Sequence, residues 1–225
     1  MIVFDKVKKM YPSGMHALKG VSFTIKDGEF VFIIGSSGAG KSTMTKLMMA
    51  EERLSSGEIF LEDYELSFIR GRDIPKLRRQ IGVVFQDFRL IPTKTVYENI
   101  AFAMRVIGQP NRSIRKRVPY ILALVGLEHR AAAYPPELSG GEQQRIALAR
   151  AIANNPKIII ADEPTGNIDP QMSYEIMDLL SDINKKGVTV VVVTHEKDLV
   201  DRFGKRVITL DKGEIVSDRT GGYDE

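Results

Sequence analysis

Residues 35–43, Gly35-Ser36-Ser37-Gly38-Ala39-Gly40-Lys41-Ser42-Thr43, fit the pattern G-x-x-x-x-G-K-[ST] between an apolar run ending at Ile34 and a helical stretch, Leu47-Met48-Met49. Backbone N–H groups from Gly38 to Thr43 can wrap phosphates, Lys41 can neutralise their β and γ oxygens, and Ser42 can ligate Mg2+. Alone, this loop implies a nucleoside triphosphatase and nothing narrower. Asp162 and Glu163 follow the run Ile158 to Ala161, where side chains emerge at the carboxyl edge of a parallel sheet, the usual ligand crevice. One acid there can hold Mg2+, directly or through water, and the other can polarise an attacking water. His195 ends the next buried strand, so it reaches the same edge and can orient water and a terminal phosphate. Gln86, just after Ile81 to Phe85, can sense the metal or the water through its amide. Tyr11 can stack on a base, with plain packing as the alternative.

Leu138-Ser139-Gly140-Gly141-Glu142-Gln143-Gln144-Arg145 poses a different question. Ser139 and Glu142 fit a capping box, and Ile146, Ala149, Ile152 and Ala153 recur at helical spacing before Asn154-Asn155-Pro156 stops the helix. Capping does not require Gly140 and Gly141, each of which forgoes about 1 kcal/mol of helix propensity relative to Ala. Glycine there permits close approach of a ligand to N–H groups at the positive end of a helix, which is how proteins bind phosphate. The plainer alternative is a capped helix with incidental glycines.

The elements that must position these residues alternate. Val21, Phe23 and Ile25 read as a half-exposed strand, Asp27-Gly28 as a turn, and Phe30 to Ile34 as a buried strand. Gly57 to Leu61 and Ile81 to Phe85 are further strands. Helices are expected at Val96 to Val106 and Ile114 to Val125, broken by Gly108-Gln109-Pro110. Then come strand Ile158 to Ala161, a helix from Met172 to Lys185, strand Val188 to Val193 and a hairpin from Arg206 to Ser217 turning at Asp211-Lys212-Gly213. Strands alternating with helices imply parallel pairing. The expected fold class is α/β, with an antiparallel β edge and a helical lobe inserted between residues 87 and about 137.

The 225 residues suit one large domain, 43% hydrophobic and 27% charged, which argues against disorder. Thirty-two basic against 29 acidic residues, net +3, give no case for nucleic acid, so no nucleic-acid partner is expected. Basic clusters such as Arg115-Lys116-Arg117 read as solvated helix faces or lipid contacts. With no cysteine, disulfides and thiolate metal sites are excluded. No apolar run approaches the roughly 18 residues that span a bilayer, and no signal peptide opens the chain, so the expectation is a cytosolic protein that borrows any membrane role from a partner.

Taken in order, the Gly35 to Thr43 loop, Gln86, Leu138-Ser139-Gly140-Gly141-Glu142, Ile158 to Glu163, Gly166-Asn167-Ile168-Asp169 and His195 resemble the nucleotide-binding subunit of an ATP-binding cassette (ABC) protein over nearly the whole chain. The resemblance implies a P-loop NTPase of the ABC-ATPase fold as a single domain over 1–225. Its parallel core and antiparallel β subdomain would occupy 1–86 and 138–225, and its helical subdomain about 87–137. It implies ATP and Mg2+ as cofactors, hydrolysis to ADP and phosphate, and a head-to-tail homodimer sandwiching two ATP. On that pattern Gly35 to Thr43 cradle the phosphates, Tyr11 underlies adenine, and Ser42, Gln86 and Asp162 attend the metal. Glu163 becomes the general base, assisted by His195 and Gln86. Ser139, Gly140 and Gly141 touch the γ-phosphate held by the other subunit, and Asp169 lies at the dimer seam. Gly166-Asn167-Ile168-Asp169 replaces the Ser-Ala-Leu-Asp common in sugar importers. Ala161-Asp162-Glu163-Pro164-Thr165-Gly166-Asn167-Ile168-Asp169 and the stretch Val84 to Ile100, with Asp87-Phe88-Arg89-Leu90, resemble the cell-division branch of the family. No regulatory extension is expected after the last hairpin. That branch implies an integral membrane partner, an indirect link to peptidoglycan hydrolases, and a place on the cytoplasmic face of the cell membrane at the division site. A lipoprotein, peptide or macrolide exporter ATPase is the nearest alternative, and a soluble cassette acting on ribosomes or DNA a more distant one.

Overall fold

The computed structural model describes residues 1–221, so residues 222–225 of the expected 1–225 domain lie outside the described residues. β1 (Ile2–Met10) and β2 (His16–Ile25) pair antiparallel, setting Phe4 opposite Phe23 with their rings stacked at 4.6 Å. β4 (Ser56–Leu61) and the two-residue β5 (Tyr64–Glu65) extend them into a sheet ordered β2-β1-β4-β5. A second sheet, ordered β10-β9-β3-β8-β7-β6, contains β3 (Phe30–Ile34), β6 (Ile81–Phe85), β7 (Ile158–Asp162), β8 (Thr189–Val193), β9 (Arg206–Asp211) and β10 (Glu214–Thr220). Its strands run parallel from β9 to β6, and β10 folds back antiparallel as the edge. The α/β reading is therefore correct, and the expected hairpin supplies both the last parallel strand and the antiparallel edge.

Continuous apolar runs identified β3, β7 and β8 because both of their faces are covered. Phe30, Phe32 and Ile34 of β3 pack into a cluster with the helices, whereas Val31 and Ile33 point into a second cluster with α1 (Lys41–Met48) and the β1-β2-β4 sheet. β8 divides in the same way, Val190 and Val192 against Val191 and Val193. Each such side chain contributes about 1.5–3 kcal/mol on burial. The registers align the strand ends: Phe85 lies opposite Asp162, Asp162 opposite Val193, and Val193 opposite Ile33. Gln86, Glu163, His195 and the Gly35 loop must leave the sheet along one edge.

The helices include α2 (Ile74–Arg78), α3 (Val96–Val106), α4 (Asn111–Leu124), α5 (Gly140–Ile152), α6 (Pro170–Asn184) and α7 (Lys197–Phe203). α6 starts two residues before the expected Met172 because Asp169 caps it, accepting from Met172 N at 3.0 Å, with Pro170 at the first position. α4 likewise begins three residues early, behind Pro110. Neither α2 nor α7 was expected; at five and seven residues they show too little periodicity to be read. α3 opens with a capping box between Thr95 and Glu98.

One buried polar side chain fixes the segment between β6 and α3. Asn99, fully buried, accepts from Ile91 N at 2.8 Å and donates to the carbonyls of Ile91, Lys94 and Thr95 at 3.0–3.1 Å. Asn99→Ala should lower unfolding free energy by about 2–4 kcal/mol in urea titration, because several buried groups lose their partner at once. A loss under about 0.5 kcal/mol would contradict that role.

Candidate functional site

The Gly35 to Thr43 loop bridges β3 and α1 in a conformation that side chains forbid. Gly35 has φ +151°, and a Cβ there would stand 2.1 Å from Leu210 O. Behind the loop, Gly213 N donates to Ala39 O at 3.0 Å, so the β9-β10 turn buttresses it. Lys41 curls back, its Nζ donating to Gly35 O at 2.6 Å and Ser36 O at 3.1 Å. Those carbonyls hold the ammonium over the loop, where a phosphate would meet it. α1 has Gly40 at its N-cap and no side-chain cap, which leaves its first N–H groups open to a ligand.

Two cavities meet at this loop. One of about 560 Å³ is walled by Gly35 to Gly38, Gly40 to Thr43, Asp162, Glu163 and His195, with Met15 and, at the start of β2, His16 and Ala17 closing one side. A neighbour of about 420 Å³ shares Ser42, Asp162 and Glu163 and adds Phe85, Gln86, Asp87, Arg89 and Asn167. Both lie within the size range of small-ligand sites.

The carboxylates differ in setting. Burial and the adjacent Glu163 charge raise the Asp162 pKa above its ordinary value, opposed by a long hydrogen bond from Thr45 Oγ1 at 3.4 Å. Glu163 takes a left-handed backbone, φ +49°, anchored by its N–H to Val193 O at 2.8 Å. That turn aims Glu163 Oε1 at His195 Nδ1, 2.8 Å away, while Glu163 Oε2 is buried without a hydrogen-bond partner among the described residues. His195 is 65% exposed, so it bridges the carboxylate to the cavity mouth. The Gln86 backbone carbonyl accepts from Asn167 Nδ2 at 2.9 Å, and its side-chain amide lies against Gly166, where a Cβ would fall 2.7 Å from Gln86 Nε2.

The sequence candidates therefore divide. The loop, Gln86, Asp162, Glu163 and His195 come together, whereas Ser139, Gly140 and Gly141 line neither cavity. Ser139 does cap α5, accepting from Glu142 N at 3.3 Å while Glu142 Oε2 accepts from Ser139 N at 2.9 Å. These bonds, with Arg130 at 3.0 Å, hold the Glu142 pKa below its usual value. Gly141 also lies close to the first turn of α6: a Cβ there would come 3.2 Å from Met172 Cγ and 3.3 Å from Met172 Cβ, and the Met172 methyl would have to swing aside. Tyr11 lies outside both cavity walls, its hydroxyl 3.3 Å from Thr43 Oγ1 and the Lys9 ammonium 4.8 Å from its ring centroid. Reasoning from sequence missed Met15 to Ala17, Thr45, Asn167 and Arg89. Asn167 and Arg89 did stand inside quoted motifs, next to residues that were assigned.

Comparison with known proteins agrees with this geometry. The family profile described as ABC transporter matches residues 18–166. The cell division ATP-binding protein FtsE of Bacillus subtilis is 51% identical over 99% of this chain and 97% of its own length. The proteins of the same name from Mycobacterium tuberculosis and Escherichia coli K12 are 49% and 44% identical, over 99% and 96% of this chain and 97% of each relative. Among solved structures, the dimeric post-hydrolysis state of the ATP-binding cassette MJ0796 bound to ADP and Pi matches with TM-score 0.89 and 40% identity, over 98% of both chains. CbiO1 from Clostridium perfringens, part of an ABC transporter complex, matches with TM-score 0.89 and 34% identity, over 96% of this chain and 87% of that one. A chain with this loop, these strand-end carboxylates and these relatives belongs to the ABC transporter family.

Proposed function

We propose that this chain is the ATP-binding and ATP-hydrolysing subunit of an FtsEX-like complex that works in cell division. The observation that carries the reading is the meeting of the Gly35 to Thr43 loop, Gln86, Asp162, Glu163 and His195 around two adjoining cavities at one sheet edge. The relatives named cell division ATP-binding protein FtsE support the branch. One cassette spans 1–225, its helical subdomain at about 87–137.

In this reading the loop's N–H groups and Lys41 bind the triphosphate, and Tyr11, tied to Thr43, stacks on adenine. Mg2+ would be held by Ser42, Asp162 and Gln86, and it supplies charge neutralisation to the phosphate oxygens. The residues fit such a group: Asp162 is a desolvated carboxylate beside another acid. Among the described residues no three His, Cys, Asp or Glu form a metal cage. Few protein ligands suit Mg2+, which keeps waters and shares phosphates. Glu163 accepts the proton of the attacking water, and His195 holds Glu163 in place. Ser139, Gly140 and Gly141 close the site of a second copy, with Asp169 at the seam, which accounts for their absence from the cavities of their own chain.

The partner is an FtsX-like integral membrane protein, with peptidoglycan hydrolases downstream and the cytoplasmic face of the membrane at the division site as the location. No described helix is long and apolar enough to cross a membrane. A groove of about 730 Å³ between β6, α2, α3 and α5 offers the contact, with Phe102 41% and Val106 64% exposed.

Glu163→Gln should lower kcat by at least about 100-fold while nucleotide affinity, read with fluorescent mant-ATP, stays unchanged. Near-normal turnover would remove Glu163 as the base. Ser139→Arg should keep mant-ATP binding yet block turnover, at a cost of about 1 kcal/mol for the lost cap. Unfolding of that variant would leave Ser139 as a cap alone. Asp162→Asn should raise the Tm of the nucleotide-free chain by about 2–4 °C at pH 7. An acid whose folded pKa is raised destabilises the fold above that pKa, so the gain should shrink as pH falls and wild-type Asp162 takes up its proton. A pH-independent gain would contradict this.

A further inference from the structure

Phe85 and Arg89 line two cavities at once. On one side is the space holding Gln86, Asp162 and Glu163; on the other is the groove between β6, α2, α3 and α5. The partition is a stack, with the Arg89 guanidinium 3.6 Å from the Phe85 ring centroid.

Backbone and side chain are held very differently. Phe88 and Arg89 both take left-handed conformations, φ +57° and +49°, and Arg150 of α5 donates to both of their carbonyls, at 2.9 Å to Phe88 O. Among the described residues, the Arg89 side chain has the ring face and an ion pair with Asp87 at 3.2 Å, whose members are 54% and 66% exposed. Exposed pairs of this kind are weak and exchange readily. Arg89 thus has a clamped root and a head free to choose a side.

Each side attracts it. Two carboxylates face it from β7, and its charge acts against the rise in the Asp162 pKa. Among the described residues the groove is lined by Arg78, Arg79, Arg89 and Arg150 and by no acidic side chain. Arg78 and Arg150 direct their donors to backbone carbonyls, and neither they nor Arg79 form an ion pair among the described residues. With Phe102 and Val106 exposed beside it, the groove suits a segment carrying both apolar and acidic side chains.

Resting on the assignment of this groove to the membrane partner, we propose that the partner's segment presents a carboxylate to Arg89. Capture of the guanidinium on the groove side then draws its charge away from the cavity it shares with Asp162 and Glu163, which favours a divalent cation there. One positive charge is shared by two sites, so filling the groove strengthens cation binding, and the reverse holds by linkage.

The test is the Mg2+ concentration that gives half-maximal mant-ATP binding to the purified chain. Arg89→Ala should lower it about 3-fold by removing a competing cation, and Arg89→Lys should leave it near wild type. Ile91 lines the groove two residues from Arg89, so Ile91→Glu supplies the carboxylate and Ile91→Gln the uncharged control. Glu should lower the Mg2+ requirement about 3-fold relative to Gln, and the difference should vanish when Arg89→Ala is added. An unchanged requirement in Arg89→Ala, or a Glu-to-Gln difference that persists without Arg89, overturns the inference. If the Ile91 variants do not fold, the Arg89 comparison decides. A wild-type chain showing no Mg2+-dependent mant-ATP binding would instead overturn the proposed function.

Discussion

Two carboxylates held side by side at the end of β7, one half-buried and one aimed by a left-handed turn, are the constraint that the rest of this molecule serves. Burial and the neighbouring Glu163 charge make Asp162 resist ionisation. Among the described residues, Thr45 gives Asp162 a single long hydrogen bond, and Glu163 keeps one buried oxygen without a partner. A site left this incomplete gains most from an arriving cation and polyphosphate. The parallel sheet makes the arrangement possible, because its register brings Phe85, Asp162, Val193 and Ile33 level and sends Gln86, Glu163, His195 and the Gly35 loop out along the same edge.

Helix α5 ties the remote parts to that edge. Its first turn carries Ser139 and Gly141, pressed against Met172 of α6, and its last turn carries Arg150, which clamps the backbone just beyond Gln86. One helix thus joins the Ser139 end to the segment that walls both the carboxylate cavity and the groove. At that end Glu142 accepts from Ser139 and Arg130, and these bonds hold its pKa below the usual value. In the proposed assembly of two copies, one copy's Ser139 and the other's Glu163 meet at one nucleotide.

Sequence revealed what local rules dictate. The phosphate loop is contiguous, the Ser139 capping box follows from two residues three apart, and β3, β7 and β8 show themselves as unbroken apolar runs because helices cover one face and α1 with the first sheet covers the other. What stayed hidden depends on contacts far along the chain. Asn99 gives no outward sign that it organises Ile91 to Thr95, since its partners are backbone groups of a loop. Arg89 appeared only as part of a motif, because its place between two cavities arises from Phe85 beneath it and Arg150 sixty-one residues later. The fit of Gly141 against Met172 is equally non-local. Short α2 and α7 escaped notice because a turn or two leaves no period to read.

Central to the account is that neither copy completes its own reaction site, and mixing two inactive proteins tests this directly. Ser139→Arg chains keep an intact loop and Glu163, while Glu163→Gln chains keep an intact Ser139 element. A heterodimer of the two contains one site assembled wholly from unaltered parts. ATP turnover should therefore appear on mixing where each variant alone has none. A mixture that stays inactive, although the two chains demonstrably pair in the presence of Mg-ATP, would contradict the account.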